Sequence, residues 1–273
     1  MERRAFLAAS TAAAAASTAS GLAAAGAAEP LAQASASGAG PAVFELRRNR
    51  LHTGVMATRL GTYLKDAFVP AVSRLGIGPV GVFNVAVGEG PTVHVLIPHP
   101  DAASVLTLVD RLAKDAEYVK AAEPLRGLPS GDPPYVRVDS TLSVGVPSFP
   151  GIAKPAGASA GPGRLFELRT YRSHSVLAHR RKVEMFEQGG ELGIFKRVGL
   201  ETVFFARDVV GAGLPSLTYM LVFPDAATRE KNWDVFRQDP DWLKLRAQPG
   251  YADAEIVSGI TSTILRPAEG SQL

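Results

Sequence analysis

The chain contains no cysteine, which excludes disulfide bonds, thiol nucleophiles, cysteine-based zinc sites and iron–sulfur clusters. It also lacks a large excess of either charge, since 29 Lys and Arg residues against 26 Asp and Glu residues give a formal net charge of +3. An excess this small does not indicate a nucleic-acid-binding protein, so we expect no nucleic-acid partner. The available chemistry is that of histidine, carboxylates, hydroxyl groups and the basic side chains.

The first 34 residues have the composition of an export signal. An Arg-Arg-x-Phe-Leu motif begins at Arg3, and no charged residue occurs from Ala8 to Ala28. This pattern resembles a twin-arginine signal peptide, and its small residues suit cleavage near Ala28 or Ser35. The run is too rich in Ser, Thr and Gly for a stable membrane-spanning helix. We predict that residues 1–34 are cleaved and that the mature protein is periplasmic or extracellular, with no membrane association.

The remainder of the chain repeats itself once. The segment Val43–Arg47 reads VFELR and returns as LFELR at Leu165–Arg169, an offset of 122 residues. Asp101, which is followed by two alanines, returns as Asp225 at an offset of 124 residues. Solenoid repeats have periods of about 20 to 50 residues, so a repeat this long indicates two copies of a whole domain.

Each copy has a pattern of strands and helices in the order β-α-β-β-α-β, which is typical of a ferredoxin-like unit. We place the first domain at residues 43–144 and the second at residues 165–266. Residues 145–163 are dense in Gly, Pro, Ala and Ser and are interpreted as a linker. The fold class predicted from these elements is α+β, with helices packed on antiparallel sheets.

Two short motifs in the second copy resemble the signatures of the NIPSNAP family. The opening strand contains Glu167, Arg169 and Tyr171 in an E-x-R-x-Y pattern, and a D-P-x-W pattern occurs at residues 239–242. The first copy is degenerate, with Asn49 in place of the tyrosine. This family adopts the dimeric α+β barrel arrangement, so the resemblance implies that the two tandem ferredoxin-like units form such a barrel within one chain. The family's biochemical activity is poorly defined, and the resemblance implies a fold more firmly than a reaction.

The opening strands supply the candidate ligand-binding residues. Because side chains alternate along a strand, Glu167, Arg169 and Tyr171 share one face, and Glu45 and Arg47 share the equivalent face of the first copy. If the apolar face packs under the helices, these polar side chains point into the barrel. A buried carboxylate and guanidinium must be paired, so the two sets could form either a closed salt-bridge network or a pocket for a polar or anionic ligand. In such a pocket Glu167 is the candidate general base.

The histidines do not form a recognisable metal-binding motif. His174 and His179 are five residues apart, a spacing that does not stack on one helix face, and no H-E-x-x-H frame occurs. His94 lies in an apolar strand and could face either the barrel or the helix layer. We therefore predict no metal and no cofactor.

Two functional hypotheses remain open, and the catalytic residues, if any, are undefined. The leading hypothesis is a non-enzymatic binding or interaction module that holds a small polar or anionic ligand. The alternative is a small-molecule enzyme of the wider dimeric α+β barrel superfamily, either a cofactor-independent monooxygenase or a haem-dependent protein. A homo-oligomer is compatible with both hypotheses.

Overall fold

The computed structural model describes residues 41–273, so the predicted signal peptide at residues 1–34 lies outside the described residues. None of the helices in the described part is long and apolar enough to cross a membrane. The first half of the fold consists, in chain order, of β1 (Val43–Arg50), α1 (Val55–Tyr63), a π-helical segment (Leu64–Phe68), α2 (Val69–Arg74), β2 (Gly81–Val87), β3 (Thr92–His99), α3 (Ala102–Ala113), α4 (Ala116–Arg126) and β4 (Arg137–Gly145).

The second half repeats this order with small differences. It consists of β5 (Leu165–Arg172), α5 (Val176–Glu187), α6 (Glu191–Arg197), β6 (Glu201–Val210), β7 (Ser216–Phe223), α7 (Ala226–Gln238), α8 (Pro240–Arg246), α9 (Asp253–Ile256) and β8 (Gly259–Pro267). Between the halves, the chain forms a short 3₁₀ helix at Gly157–Ala160 and hydrogen-bonds to β6, since the Ala153 N–H donates to the Val203 carbonyl over 2.8 Å.

The eight strands of residues 41–273 close into one barrel in the order β1-β3-β2-β8-β5-β7-β6-β4. Every neighbouring pair is antiparallel. Each half contributes its four strands in the ferredoxin-like order, β4-β1-β3-β2 and β8-β5-β7-β6, and the halves join where β2 pairs with β8 and β4 with β6. The predicted α+β fold, with two tandem units forming one barrel within the chain, is confirmed.

Equivalent aspartates start the helix that follows the third strand of each half. The Asp101 side chain accepts a hydrogen bond from the Ser104 N–H at the start of α3, and the Asp225 side chain accepts one from the Thr228 N–H at the start of α7. An N-cap of this kind satisfies a backbone donor that the helix itself cannot satisfy. Residues at the same distance from Asp101 and from Asp225 therefore occupy equivalent positions on α3 and α7.

Apolar side chains form three separate clusters. Two of them lie between the helices and the strands, one in each half. The third contains residues from strands of both halves and lies inside the barrel. Its aromatic rings pack closely, with ring centroids 4.8 Å apart for Phe83 and Phe166 and 5.2 Å apart for Phe44 and Phe204. Leu273 is buried in this cluster and covers the end of the barrel near Gly81.

The expectation that Glu45, Arg47, Glu167, Arg169 and Tyr171 point into the barrel is wrong. The apolar side chains that alternate with them fill the barrel, and these five side chains face the helices. The physical reason is that rings from both halves can fill the narrow interior of an eight-stranded barrel. Buried charged groups need hydrogen-bond partners, and the helix layers supply these partners.

Candidate functional site

In the second half, Glu167 is the centre of a closed network. Its side chain is fully buried, and the first carboxylate oxygen accepts from Arg169 (2.7 Å), from Ser262 (2.7 Å) and from Arg229 on α7 (2.9 Å). The second oxygen accepts from the Arg229 Nε (2.7 Å) and from the indole N–H of Trp233 (2.8 Å). Five donors on one carboxylate leave no position at which a ligand could bind it.

This environment removes Glu167 as a general base. Burial alone would raise the pKa of Glu167, but the hydrogen bonds from Arg229, Ser262 and Trp233 and the charge of Arg169 outweigh burial and lower the pKa to about 2. A carboxylate with so low a pKa accepts a proton poorly near neutral pH. The role that the sequence suggested for Glu167 is therefore not supported by its surroundings.

Aromatic rings fill the space around this network. The guanidinium carbon of Arg169 lies 4.7 Å from the Trp233 ring centroid and 5.5 Å from that of Tyr171. Tyr171 and Tyr219 are stacked with centroids 5.7 Å apart, and Phe195 packs edge-on against Trp233. The second half therefore has a filled core at the position of the E-x-R-x-Y residues.

A buried lysine extends the filled region. Lys182 on α5 is only 1% exposed, and its ammonium group lies 4.8 Å from the Phe186 ring centroid and 3.4 Å from a carboxylate oxygen of Glu191. Burial raises the pKa of Glu191 to about 7, although the charge of Lys182 acts in the opposite direction. Both side chains of this pair lie inside the packed layer, and the Lys182 ammonium group also lies 3.6 Å from a carboxylate oxygen of Asp253.

In the first half, Glu45 has a similar but smaller set of partners. Arg47 donates to both carboxylate oxygens, from Nε over 2.8 Å and from Nη2 over 2.9 Å. Ser140 donates over 3.0 Å, and His99 Nε2 lies 3.4 Å away, with His99 Nδ1 in turn 3.0 Å from the hydroxyl of Ser104. Burial would raise the pKa of Glu45, but the hydrogen bonds from His99, Arg47 and Ser140 lower it to about 2.

A pocket of about 530 Å³, here called the first-half pocket, opens above Glu45 and Arg47. It lies between the sheet and the helices of the first half. Its walls are mostly apolar and aromatic, with a polar floor, and its lining residues are Glu45, Arg47, Asn49, Leu60, Tyr63, Leu64, Phe68, Val95, Val109, Leu125, Arg126, Pro134, Tyr135, Val138 and Ser140. A smaller recess of about 160 Å³ shares Arg47, Tyr63, Phe68, Val109 and Arg126 with it.

The first-half pocket exists because the first half has smaller side chains at two positions that aromatic rings occupy in the second half, one on the opening strand and one on the strand that pairs with it. Val95 pairs with Arg47 on the neighbouring strand as Tyr219 pairs with Arg169. Asn49 lies four residues after Glu45, where Tyr171 follows Glu167. In both cases a large ring in the second half is replaced by a small side chain that lines the pocket.

A third replacement opens the pocket to solvent. Val109 and Trp233 each lie eight residues after the capping aspartate of their helix. Trp233 is 8% exposed, whereas Val109 is 71% exposed at the mouth of the first-half pocket. The indole that covers the glutamate in the second half has no counterpart in the first.

Two cations and a tyrosine pair give the first-half pocket its polar character. Arg47 uses Nε and Nη2 on Glu45, so its Nη1 has no hydrogen-bond partner among residues 41–273. Arg126 is exposed at the pocket wall, and its guanidinium carbon lies 5.9 Å from the Tyr118 ring centroid. The hydroxyl groups of Tyr63 and Tyr118 are 2.9 Å apart, and burial together with this contact raises the pKa of Tyr63.

Several of these groups were not among the predicted site residues. Ser140 and Ser262 recur at the same offset as Glu45 and Glu167, so the repeat itself carried a signal for them. Arg126 lies on α4 and carries no comparable signal. Within residues 41–273, no group of three or more His, Cys, Asp or Glu side chains is arranged to hold a metal ion.

The NIPSNAP family model matches the sequence twice, at residues 44–128 and 166–272. No curated protein matches the sequence. The solved structures that share the fold include three that cover more than four fifths of this chain. Two are named as putative monooxygenases: one from Lactobacillus acidophilus NCFM has a TM-score of 0.55 and 7% identity, and covers 85% of this chain and 98% of its own. The other, from Fusobacterium nucleatum, has a TM-score of 0.52 and 9% identity, and its alignment covers 84% of this chain and 93% of that chain.

The third structure is an anthrone oxidase-like protein. It has a TM-score of 0.51 and 11% identity, and the alignment covers 85% of this chain and 95% of that chain. At these identities the three structures establish a shared barrel architecture, and a shared architecture does not by itself carry a reaction.

Proposed function

The chain belongs to the NIPSNAP family, and from that premise we propose that it is a small-molecule-binding protein whose ligand occupies the first-half pocket. The observation that carries this proposal is the set of three replacements, Asn49, Val95 and Val109, at positions that large rings fill in the second half. The space above the central glutamate is filled by aromatic rings in the second half and forms a pocket in the first. The pocket volume of about 530 Å³ lies in the range of small-molecule sites.

The lining of the pocket favours a flat apolar or aromatic molecule that carries an acidic group. Phe68 and Tyr135 provide aromatic surface, and the free Nη1 of Arg47 and the exposed guanidinium of Arg126 provide positive charge. Glu45 and Arg47 form an ion pair without net charge, so Arg126 supplies the net positive charge of the pocket and Arg47 contributes a hydrogen-bond donor through Nη1.

An enzyme acting on the same ligand, such as a cofactor-independent monooxygenase, has less support. Proton abstraction requires a base beside the ligand, and the pKa of Glu45 is held at about 2 by His99, Arg47 and Ser140. The lining of the pocket contains no histidine, cysteine or methionine that could bind haem iron, and burial raises the pKa of its Tyr63, which disfavours the phenolate form that iron would bind. Binding without turnover is therefore the function that this geometry supports best.

The test is a fluorescence titration of the mature protein with 1-naphthoate, a flat aromatic carboxylate, and with the neutral 1-naphthylmethanol. We expect 1-naphthoate to bind more tightly than the alcohol. Val109→Trp should weaken 1-naphthoate binding roughly tenfold or more, because the indole would cover the opening as Trp233 does. Leu106→Trp is the matched control, because Leu106 is exposed on the same helix and does not line the pocket.

Three results would overturn the proposal: absence of 1-naphthoate binding, equal binding to the Val109→Trp and wild-type proteins, or an equal loss in Leu106→Trp. Oxygen-dependent conversion of the bound 1-naphthoate, followed by mass spectrometry, would favour the enzyme instead.

We also propose that residues 1–34 direct export by the twin-arginine route. The Arg-Arg-x-Phe-Leu motif at Arg3 supports this proposal. Replacement of Arg3 and Arg4 by lysine should retain the protein inside the cell, as measured by fractionation and immunoblotting. Unchanged export of the double-lysine variant would contradict it.

A further inference from the structure

We propose that the open end of the barrel is a second ligand site, which takes a small organic carboxylate with a short apolar tail. This site, here called the barrel mouth, is a cavity of about 450 Å³. It is lined by residues of both halves and is distinct from the first-half pocket, which lies on the other face of the sheet.

The interior side chains change character along the opening strands. On β1 they run from Phe44 and Leu46 to Arg48, and on β5 from Phe166 and Leu168 to Thr170 and Arg172. The lower part of the barrel is therefore packed with apolar side chains, and the upper part is lined with hydroxyl and guanidinium groups. A ligand in the barrel mouth would rest its apolar part on Leu46 and Leu168.

The positive charges of the barrel mouth are available to an anion. Arg172 donates to the hydroxyl of Thr261 over 2.7 Å and has no acidic partner among residues 41–273. Arg48 pairs with Glu89, whose side chain is 70% exposed, and an exposed ion pair of this kind contributes little, so that a ligand can replace it. Arg50 on the rim pairs with Asp139 over 2.9 Å.

The buried acid in the barrel mouth is already satisfied. One carboxylate oxygen of Asp208 accepts from Ser143 over 2.6 Å. The other accepts from Ser216 over 2.7 Å and from Thr218 over 2.9 Å. These three hydrogen bonds stabilise the charge of Asp208 and weaken its repulsion of a ligand carboxylate, which can therefore approach the guanidinium groups.

His94 supplies an independent indication of a ligand. It faces the barrel mouth beside Arg48 on the neighbouring strand, is only 7% exposed, and its buried Nδ1 has no hydrogen-bond partner in the described part of the chain. Buried polar groups in native proteins are nearly always hydrogen-bonded, so an orphaned ring nitrogen at a cavity wall requires an explanation. Burial, helped by the charge of Arg48, lowers the pKa of His94 to about 4. The neutral ring offers one donor and one acceptor.

The turn between β6 and β7 holds Arg172 in place. Gly213 has a φ of +76°, and a Cβ there would lie 2.7 Å from the Arg172 Nε. The backbone of this turn is thus in close contact with the guanidinium group, and the absence of a side chain lets it approach. Arg172 is therefore fixed at the rim by Thr261 on one side and by the turn on the other.

The experiment is an NMR titration of the full mature protein, labelled at its histidines, with hexanoate. His94 reports on the barrel mouth and His99, behind Glu45, reports on the first-half pocket. We expect hexanoate to shift the His94 ring signals, and Arg172→Gln to weaken this response roughly tenfold or more through loss of a charge-assisted contact. Arg181→Gln, which removes an exposed charge outside both sites, should leave it unchanged.

The outcomes separate the two sites. No shift of His94, an undiminished shift in Arg172→Gln, an equal loss in Arg181→Gln, or an equal response to the neutral hexanol would overturn the barrel-mouth proposal. A His94 response that persists in Val109→Trp would support it even if 1-naphthoate fails to bind the first-half pocket. Wild-type thermal unfolding and histidine spectra of Arg172→Gln in the absence of hexanoate would confirm that the variant is folded.

Discussion

The two halves of the barrel hold a central glutamate with equivalent residues, but they differ in the side chains that pack above it. In both, a glutamate on the opening strand is held by an arginine two residues later and by a serine on the last strand of the half. In the second half Arg229 and Trp233 complete the set and aromatic rings close the layer above it. In the first half the layer is open and contains a pocket of about 530 Å³.

This difference shows how a duplicated fold can separate stability from binding. In the closed network the buried carboxylate of Glu167 is paired with Arg169, Arg229 and Trp233, which suits a structural role, although the buried Arg169 Nε has no hydrogen-bond partner among residues 41–273. The open copy keeps the charged floor but replaces large rings by Asn49, Val95 and Val109, so part of its helix layer is available to a ligand. The sequence left two alternatives for these charged residues, a closed salt-bridge network and a ligand pocket. Aromatic rings close the space around the Glu167 network in the second half, whereas the Glu45 network of the first half lines a pocket.

The largest expected difference between the halves is in the loss of the central glutamate. Glu167→Gln should reduce the free energy of unfolding by about 3 to 5 kcal/mol, since it leaves Arg169 and Arg229 poorly paired beside a buried site. Glu45→Gln should cost less, about 2 to 3 kcal/mol, because the partly exposed Arg47 can turn toward solvent. Urea unfolding of both variants measures the difference. Equal losses would break the comparison.

The next largest effect concerns the indole above the network. Trp233→Val should open the second half as Val109 opens the first, at a cost of about 3 to 4 kcal/mol for the lost packing and the cavity. Val109→Trp should change the stability little, since the added ring lies over an existing opening. Thermal and urea unfolding check both values, and a Trp233→Val protein as stable as the wild type would contradict the closed-network interpretation.

A third prediction concerns acid. The pKa of Glu167 is about 2 in the folded protein against an ordinary value of 4.5, so the unfolded chain binds this proton more readily. The stabilisation is therefore complete above pH 4.5 and is lost as the pH falls toward 2, by up to about 3 kcal/mol. Glu45 has the same shift in the opposite half. The free energy of unfolding should depend less steeply on pH between 2 and 4.5 in Glu167→Gln than in the wild type. An equally steep dependence in the variant would be inconsistent with the assigned pKa.

The smallest effect tests a contact that both halves share, the hydrogen bond from a serine on the last strand to the central glutamate. Ser140→Ala and Ser262→Ala each remove one hydroxyl donor from a glutamate and should each cost about 1 kcal/mol. The two losses should be similar, because the two hydroxyl groups make equivalent contacts with the two glutamates. Unfolding in urea measures them, and a loss confined to one half would show that the frames are not equivalent.

The sequence predicted the backbone fold well and the packing of the side chains poorly. The repeat and the alternation along the opening strands were sufficient for the barrel and for the shared face of Glu167, Arg169 and Tyr171. Alternation cannot show which face lies inside, because that depends on Phe44 and Phe166 meeting rings from the opposite half. No local pattern reports such contacts.

The open half was only partly readable from the sequence. Asn49 stands out because a tyrosine occupies its position in the other copy, and this was the degeneracy noted in the motif. Val95 and Val109 become informative only when the strand register and the helix caps define their counterparts, Tyr219 and Trp233. The pocket depends on all three positions together, so no single replacement predicts it.

The most direct test of the central claim is the affinity for 1-naphthoate of the variant that combines Asn49→Tyr, Val95→Tyr and Val109→Trp. These changes give the first half the rings of the second at equivalent positions. We expect that the combined variant folds and no longer binds 1-naphthoate, whereas the wild type does. A folded variant that binds 1-naphthoate as tightly as the wild type would contradict it.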